Sequence, residues 1–438
     1  MKNISYIAYL FIAVLVTGCD SYLDIEPEGK VIPKTLEENR GLLTKAYHAF
    51  PKHKSRLAFR ADELTLDELS TDAPSYKDVY LWEDVNPDPQ TAPYPWIQFY
   101  NVIFYTNYII NEGVKTMEDS AEKDQLIGEA YALRAYTYFN LVNLYGKPFD
   151  QASASSDKGV PLALKIDLEQ VFEPSSVAVI YEQVLSDIEK ARDLLVVEEQ
   201  ETGMNYRFSL LAVYAFEGRV HAYMKAWDKA VEAIDRALEI KNILTDLNFS
   251  DVQPNAYNAA ESILALEDVF EAEVNNAAYV NDDLIALYDR ENDLRFPLYF
   301  SSDDSGFKSN KGGDQKFKCS FRVGELYLLK AEALLELGDP DQSKKALKTL
   351  LKNRYAPDHY SSVEEQLTEA DRETYSGLLF EERRKELALE GQRWFDLRRR
   401  EQIEIRHAFN DVIYTLKEGD PRYTLRYPQD AKLNNPEL

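Results

Sequence analysis

Residues 209–240 read SLLAVYAFEGRVHAYMKAWDKAVEAIDRALEI. Within them Gly218, His221, Ala230, Ile234 and Ala237 fall at the spacing of a tetratricopeptide unit, a helix pair of about 34 residues. Small residues are required where the two helices of such a pair cross closely. Trp227-Asp228-Lys229-Ala230 stands at the turn into the second helix. His221 takes a repeat-core position, which predicts a packed histidine rather than a ligand. One pair cannot bury its own apolar face, so the reading requires further pairs stacked beside it.

Those pairs are visible on either side. Residues 321–353 repeat the pattern more loosely, with a turn at Gly338-Asp339-Pro340. Residues 123–145 place Leu126, Ala130, Leu133, Thr137, Leu141 and Leu144 on one helical face, stopped by Gly146 and Pro148. Residues 175–195 form another helix, opened by Ser175 or Ser176 as N-cap after Pro174. It completes a pair with 123–145 across an insertion. Residues 93–116 carry Trp96, Tyr100, Ile103, Asn107 and Ile110 at steps of four and three, and residues 36–50 have helix-forming composition. The expected fold is therefore mainly α: a tetratricopeptide-like α-solenoid with helix pairs over about 36–145, 175–240 and 321–400. Long irregular insertions at 51–95 and 241–320 interrupt it, with a few short strands such as 262–267. Binding residues concentrate in such insertions.

The chain has 438 residues and a formal charge of 50 − 76 = −26. Its 45% hydrophobic content suits a folded core, and 29 tyrosines dominate the aromatics. The acidic balance argues against nucleic acid as a partner, because phosphate backbones need clustered Lys and Arg. Two cysteines exclude a disulfide scaffold. Residues 1–18 read as a secretory leader: Lys2, then an apolar run from Ile4 to Val16 too short to span a bilayer. Val16-Thr17-Gly18-Cys19 resembles a bacterial lipobox, which makes Cys19 the lipidated first residue of a mature chain of charge 49 − 76 = −27. More than one acyl chain anchors stably. Residues 19–35 then form a polar tether, residues 36–438 a single domain, and Cys319 a buried free thiol.

Four further segments make the reading specific. Residues 128–146 read GEAYALRAYTYFNLVNLYG, residues 159–162 GVPL, residues 321–333 FRVGELYLLKAEA and residues 381–398 EERRKELALEGQRWFDLR. Together with Pro428-Gln429 and Asn435-Pro436, they closely resemble, in order, the landmarks of the SusD/RagB-like outer-membrane nutrient-binding lipoproteins of Bacteroidetes. The chain is short for that family, and Gln392 stands where His is common. The resemblance implies a helix-pair scaffold with a loop-borne ligand site, a lipid anchor in the outer membrane at the cell surface, and a SusC-like TonB-dependent transporter as partner. It implies capture of a glycan, or in some members a peptide, and hand-off to the barrel, without catalysis.

Glu381, Glu382, Glu386 and Glu390 could suggest the carboxylate pair of a surface glycoside hydrolase. Their spacing instead predicts Glu381–Lys385 and Glu382–Lys385 ion pairs on a helix, with Arg393 and Asp396 locking its end. The five histidines show no metal spacing, and no catalytic residue is assigned. The aspartates at 62, 67, 72, 78 and 84 allow calcium but lack the EF-hand spacing. Sugars present an apolar C–H face rimmed by hydroxyls, so aromatic rings beside Asp or Asn suit them. Asp67, Asp72, Tyr76, Tyr80, Trp82, Tyr94 and Trp96 offer both groups in one segment and are the expected ligand site, with Tyr299 and Phe307 as a weaker second cluster. A protein-binding helical-repeat adaptor is the alternative reading of the same scaffold.

Overall fold

The computed structural model describes residues 33–166 and 172–438. The leader, Cys19 and all but the end of the tether lie outside the described residues. The helices that build the scaffold are α1 (Leu36–His48), α2 (Lys54–Arg60), α3 (Ile97–Tyr108), α4 (Ala121–Tyr145), α5 (Val177–Leu194), α6 (Leu210–Tyr223), α7 (Trp227–Ile240), α8 (Val323–Glu336), α9 (Pro340–Leu351), α10 (Pro357–Glu369), α11 (Arg372–Glu386) and α12 (Arg393–Arg399).

Helices α4 and α5, α6 and α7, and α8 and α9 pack as pairs, and α5 against α6 and α7 against α8 stack the pairs into one row. The stacking depends on close approach. A Cβ on Gly218 would lie 2.6 Å from Ile234 Cγ1, so only glycine lets α6 and α7 cross here. Ser209 caps α6 by accepting from Ala212 N, Ser176 caps α5 through Val179 N, and Asp339 caps α9 through Gln342 N. Gly338 takes the left-handed φ of +85° that the turn into α9 needs. Helix α3 ends sooner than the apolar stripe suggests and continues as a wider π-turn over Ile109–Gly113. Asn107, on the buried face of α3, is hydrogen-bonded as that position requires: it donates to Ala163 O (2.9 Å) and accepts from Arg134 Nη1 (2.8 Å). His221 is buried in the scaffold.

The two insertions are joined to each other. Strand Leu64–Leu66 pairs antiparallel with Ala278–Val280, so the segment before Asp67 and the segment before Asn281 meet edge to edge. A separate hydrophobic cluster of Phe59, Tyr76, Tyr80, Phe270, Tyr288 and Tyr299 fills the space beneath them. A C-terminal hairpin, Ile405–Phe409 with Val412–Leu416, turns at Asn410-Asp411 with both residues at positive φ, the geometry of a tight two-residue β-turn. Among the described residues no helix is long and apolar enough to cross a membrane.

Candidate functional site

The expected aromatic site does not present its rings to solvent. Trp82 is 2% exposed, Tyr80 2%, Tyr76 6% and Trp96 8%. Trp82 sits at φ +54° and donates its indole N–H to Arg60 O at 3.0 Å. Tyr80 and Trp82 sandwich the His407 imidazole, with ring centroids 4.0 and 4.2 Å away. The His407 ring nitrogens lie 2.6 Å from Tyr80 O and 2.9 Å from Ala61 O, so the hairpin histidine clamps the insertion. Tyr76 stacks on Phe59, and Trp96 meets Tyr145 and Tyr427 edge-on. Each such ring offers roughly 150–250 Å² of surface, and the segment packs Tyr76 and Tyr80 with Leu64, Leu66 and Val79 as core.

The other expected residues are spread apart. Tyr94 is half-buried, donates its hydroxyl to Arg56 O (3.2 Å) and lines a separate cavity of about 430 Å³ with Tyr145 and Tyr427. Asp67 and Asp72 are half-buried in turns, where Asp67 Oδ1 accepts from Leu69 N. Tyr299 is fully buried, whereas Phe307 is half-buried. Among the described residues no three Asp, Glu, His or Cys side chains converge as a metal site requires. Asp62 is held by Arg393, Asp84 by Arg60, and Asp78 by Thr91 and Asp88 N.

The tertiary structure makes a different concavity. A cleft of about 840 Å³ opens where α1 ends, between segments 203–206, 257–268 and 314–318. Tyr206 and Tyr257 are half-buried in its wall. Tyr206 meets the buried Tyr47 ring edge-on at 5.6 Å and lies near-parallel to His48. Asn205 is fixed by donating to Tyr257 O (2.7 Å) and Ser262 Oγ (3.0 Å). Lys52 and Asp268 form an ion pair of 2.6 Å on the same wall, and Gln315 and Lys316 are exposed at its edge. The hydrogen bond to Asp268 raises the Lys52 amine above its ordinary value, outweighing burial, which lowers it. The cleft thus combines two tyrosine faces with fixed amide, carboxylate and ammonium groups. No local motif marks it, because its residues come from four segments far apart in the chain.

The charged signature at 381–398 is architectural. Helix α11 carries Lys385 between Glu381 (3.6 Å) and Glu382, as the spacing predicts. Glu386 is fully buried and accepts from Arg322 (2.6 Å), Arg354 (2.9 Å) and Arg295 (3.3 Å). Arg322 also bonds Glu261 and Glu390, Lys311 bonds Glu390, and Arg295 bonds Asp293 and Glu382. The cluster balances five cations (Arg295, Lys311, Arg322, Arg354, Lys385) against five carboxylates (Glu261, Asp293, Glu382, Glu386, Glu390). Burial pushes the Glu386 carboxyl up, but Arg354, Arg322 and Arg295 together outweigh it and hold it well below the usual 4.5. Glu382, Glu386 and Glu390 are all held below the usual carboxylate value by these cations, so they carry no proton to donate at neutral pH. Arg393 pairs with Asp62 rather than with its own helix, and Asp396 with Arg383 and Arg399.

Residues 21–222 match a family model described as starch-binding associating with outer membrane, and residues 273–435 match the model of the SusD family. The chain belongs to the SusD family. It is 26% identical to SusD-like protein P38 of Formosa agariphila, with 94% of each chain covered. Its fold is similar to that of a SusD superfamily protein from Bacteroides thetaiotaomicron (TM-score 0.78, 22% identity, 92% of this chain and 98% of that one). It is also similar to a laminarin binding SusD-like protein (TM-score 0.64, 19% identity, 84% and 92%) and to a SusD-like carbohydrate binding protein from Bacteroides vulgatus (TM-score 0.71, 18% identity, 93% and 98%). In this SusD-family chain the family segments at 128–146, 321–333 and 381–398 supply the paired helices and the buried charge cluster, and the cleft lies outside them.

Proposed function

We propose that this SusD-family protein is a surface lipoprotein that binds a glycan and passes it to a SusC-like TonB-dependent transporter. In this reading residues 1–18 are removed, Cys19 carries the lipid, residues 19–35 are the tether, and the solenoid with its two insertions is the binding body. One observation carries the assignment of the site: the cleft of about 840 Å³ sets Tyr206 and Tyr257 beside the Lys52–Asp268 pair and Asn205. Pockets of this size take one to a few sugar units, with tyrosine faces against the C–H surface and polar side chains on the hydroxyls. The ionic locking of Glu382, Glu386 and Glu390 supports binding over hydrolysis.

The test is titration calorimetry of the mature chain against a panel of neutral oligosaccharides, laminarin fragments among them, and of peptides. A glycan should bind, and Tyr206→Ala with Tyr257→Ala should weaken it by about tenfold or more, equivalent to roughly 1.4 kcal/mol, with unchanged unfolding. Binding of peptides alone would replace the glycan. Failure of the chain to co-purify with a TonB-dependent barrel would remove the hand-off.

A further inference from the structure

A second cavity, of about 670 Å³, lies on the other side of the charged signature, between α11, α12 and the start of the C-terminal hairpin. In a chain of charge −26 its wall gathers five arginines: Arg372, Arg383, Arg384, Arg393 and Arg400. Their hydrogen bonding is incomplete. Arg383 is 2% exposed and uses only its Nε, donating to Asp396 Oδ2 at 2.7 Å; its Nη1 and Nη2 have no acceptor. Arg384 reaches Asp62 with Nη2, and its buried Nε has no acceptor. Arg372 is exposed with no ion pair among the described residues, and Arg400 has only a distant one to exposed Glu401, at 3.8 Å.

The acids of the same wall do not meet these needs. Glu373 and Glu401 of the wall are exposed, and neither reaches Arg383 or Arg384; Asp396 is divided between Arg383 and Arg399, and Asp62, outside the lining, between Arg384 and Arg393. Glu63 accepts from Leu389 N, and its other oxygen faces no donor. Burial raises the Glu63 carboxyl to about 7, so at neutral pH it carries only part of a negative charge. A buried guanidinium with unused N–H groups is unfavourable, and a charged acceptor relieves it more than a neutral one. The cavity is far larger than a bare oxyanion; Leu387 and Leu397 give it an apolar side, and the Arg400 guanidinium lies over the Phe380 ring.

We infer that this cavity is a binding site for an acidic sugar unit, whose carboxylate or sulfate takes the unused donors of Arg383 and Arg384 while its ring lies toward Leu387 and Leu397. This goes beyond the proposed cleft and is independent of it. The negative charge of the whole chain does not oppose it at physiological salt, because charges beyond about 8 Å are screened and the arginines act at contact.

The experiment is calorimetric titration of the mature chain with sodium glucuronate, with glucose, and with inorganic sulfate, at matched ionic strength. Glucuronate should bind saturably and glucose should not. Arg383→Lys, which keeps the charge and loses the fork, should weaken glucuronate by about tenfold or more. The double variant Arg372→Ala with Arg400→Ala, which leaves the buried pairs intact, should weaken it by about threefold or more and covers the case in which the Arg383 variant does not fold. Tyr206→Ala with Tyr257→Ala should leave it unchanged, which separates this site from the cleft. Absence of saturable glucuronate binding, equal binding by the Arg372/Arg400 variant, or binding of sulfate without glucuronate would each overturn the inference.

Discussion

Replacing Trp82 by alanine separates a core residue from a sugar platform. The side chain is 2% exposed, so truncation removes most of a large aromatic surface from the interior. At about 25 cal/mol per Å² and roughly 150–250 Å² for the ring, the upper bound is about 4–6 kcal/mol. Observed costs for such truncations run at about 3–5 kcal/mol. The indole hydrogen bond to Arg60 O adds about 1 kcal/mol, and His407 loses one of its two stacking partners. The left-handed backbone at residue 82 strains alanine as well, so no relief offsets these losses. The expected loss is about 4 kcal/mol, a large part of the roughly 5–15 kcal/mol available to a folded domain. Urea unfolding followed by far-UV circular dichroism should show a lower midpoint at unchanged slope. Folded variant protein should bind ligand in the Tyr206–Tyr257 cleft as the parent does. A loss below about 1 kcal/mol together with lost glycan binding would refute the reasoning and restore Trp82 to the surface site.

Glu386→Gln should cost about 3–5 kcal/mol, because it leaves Arg295, Arg322 and Arg354 buried around a neutral amide; chemical denaturation measures it, and a cost within about 1 kcal/mol would mean the cluster is not held by charge. The folded Glu386 carboxyl lies below its unfolded value, so its stabilisation is present above about 4.5 and is lost as pH falls through the lowered value; the Gln variant should show a flatter acid limb in the same assay. Cys319 is buried and burial pushes its thiol up to about 12, so a thiol reagent should leave it unmodified in the native protein and label it once unfolded. Rapid native labelling would show that the segment around Cys319 opens.

Much of the fold was legible because helix pairs write themselves into local spacing. Gly218 stands at the α6–α7 crossing, Ser176 and Ser209 cap where a cap is needed, and Gly338 makes the turn before Pro340. The i, i+3 and i, i+4 geometry of a helix also placed Lys385 beside Glu381 and Glu382. The candidate site was not legible in this way. A loop segment rich in Tyr, Trp and Asp suits both a sugar surface and an aromatic core, and composition does not choose between them. The choice fell to His407, which is 327 residues from Tyr80 and stacks between Tyr80 and Trp82.

What the sequence by itself determined is the paired helices of the scaffold, which rest on spacing within a few tens of residues, and the family, which rests on its motifs; helix α2 (Lys54–Arg60) lies in a segment whose sequence reads as irregular. It also placed the lipobox resemblance at Cys19, outside the described residues. Only the tertiary structure decided which aromatics face a ligand and which arginines remain unsatisfied. The partners of Glu386 stand 32, 64 and 91 residues away in Arg354, Arg322 and Arg295, and Tyr206 of the cleft meets Tyr47 of α1 from far along the chain. Burial and charge balance are sums over such distant neighbours. No spacing along the chain encodes them, and folding alone brings the groups together.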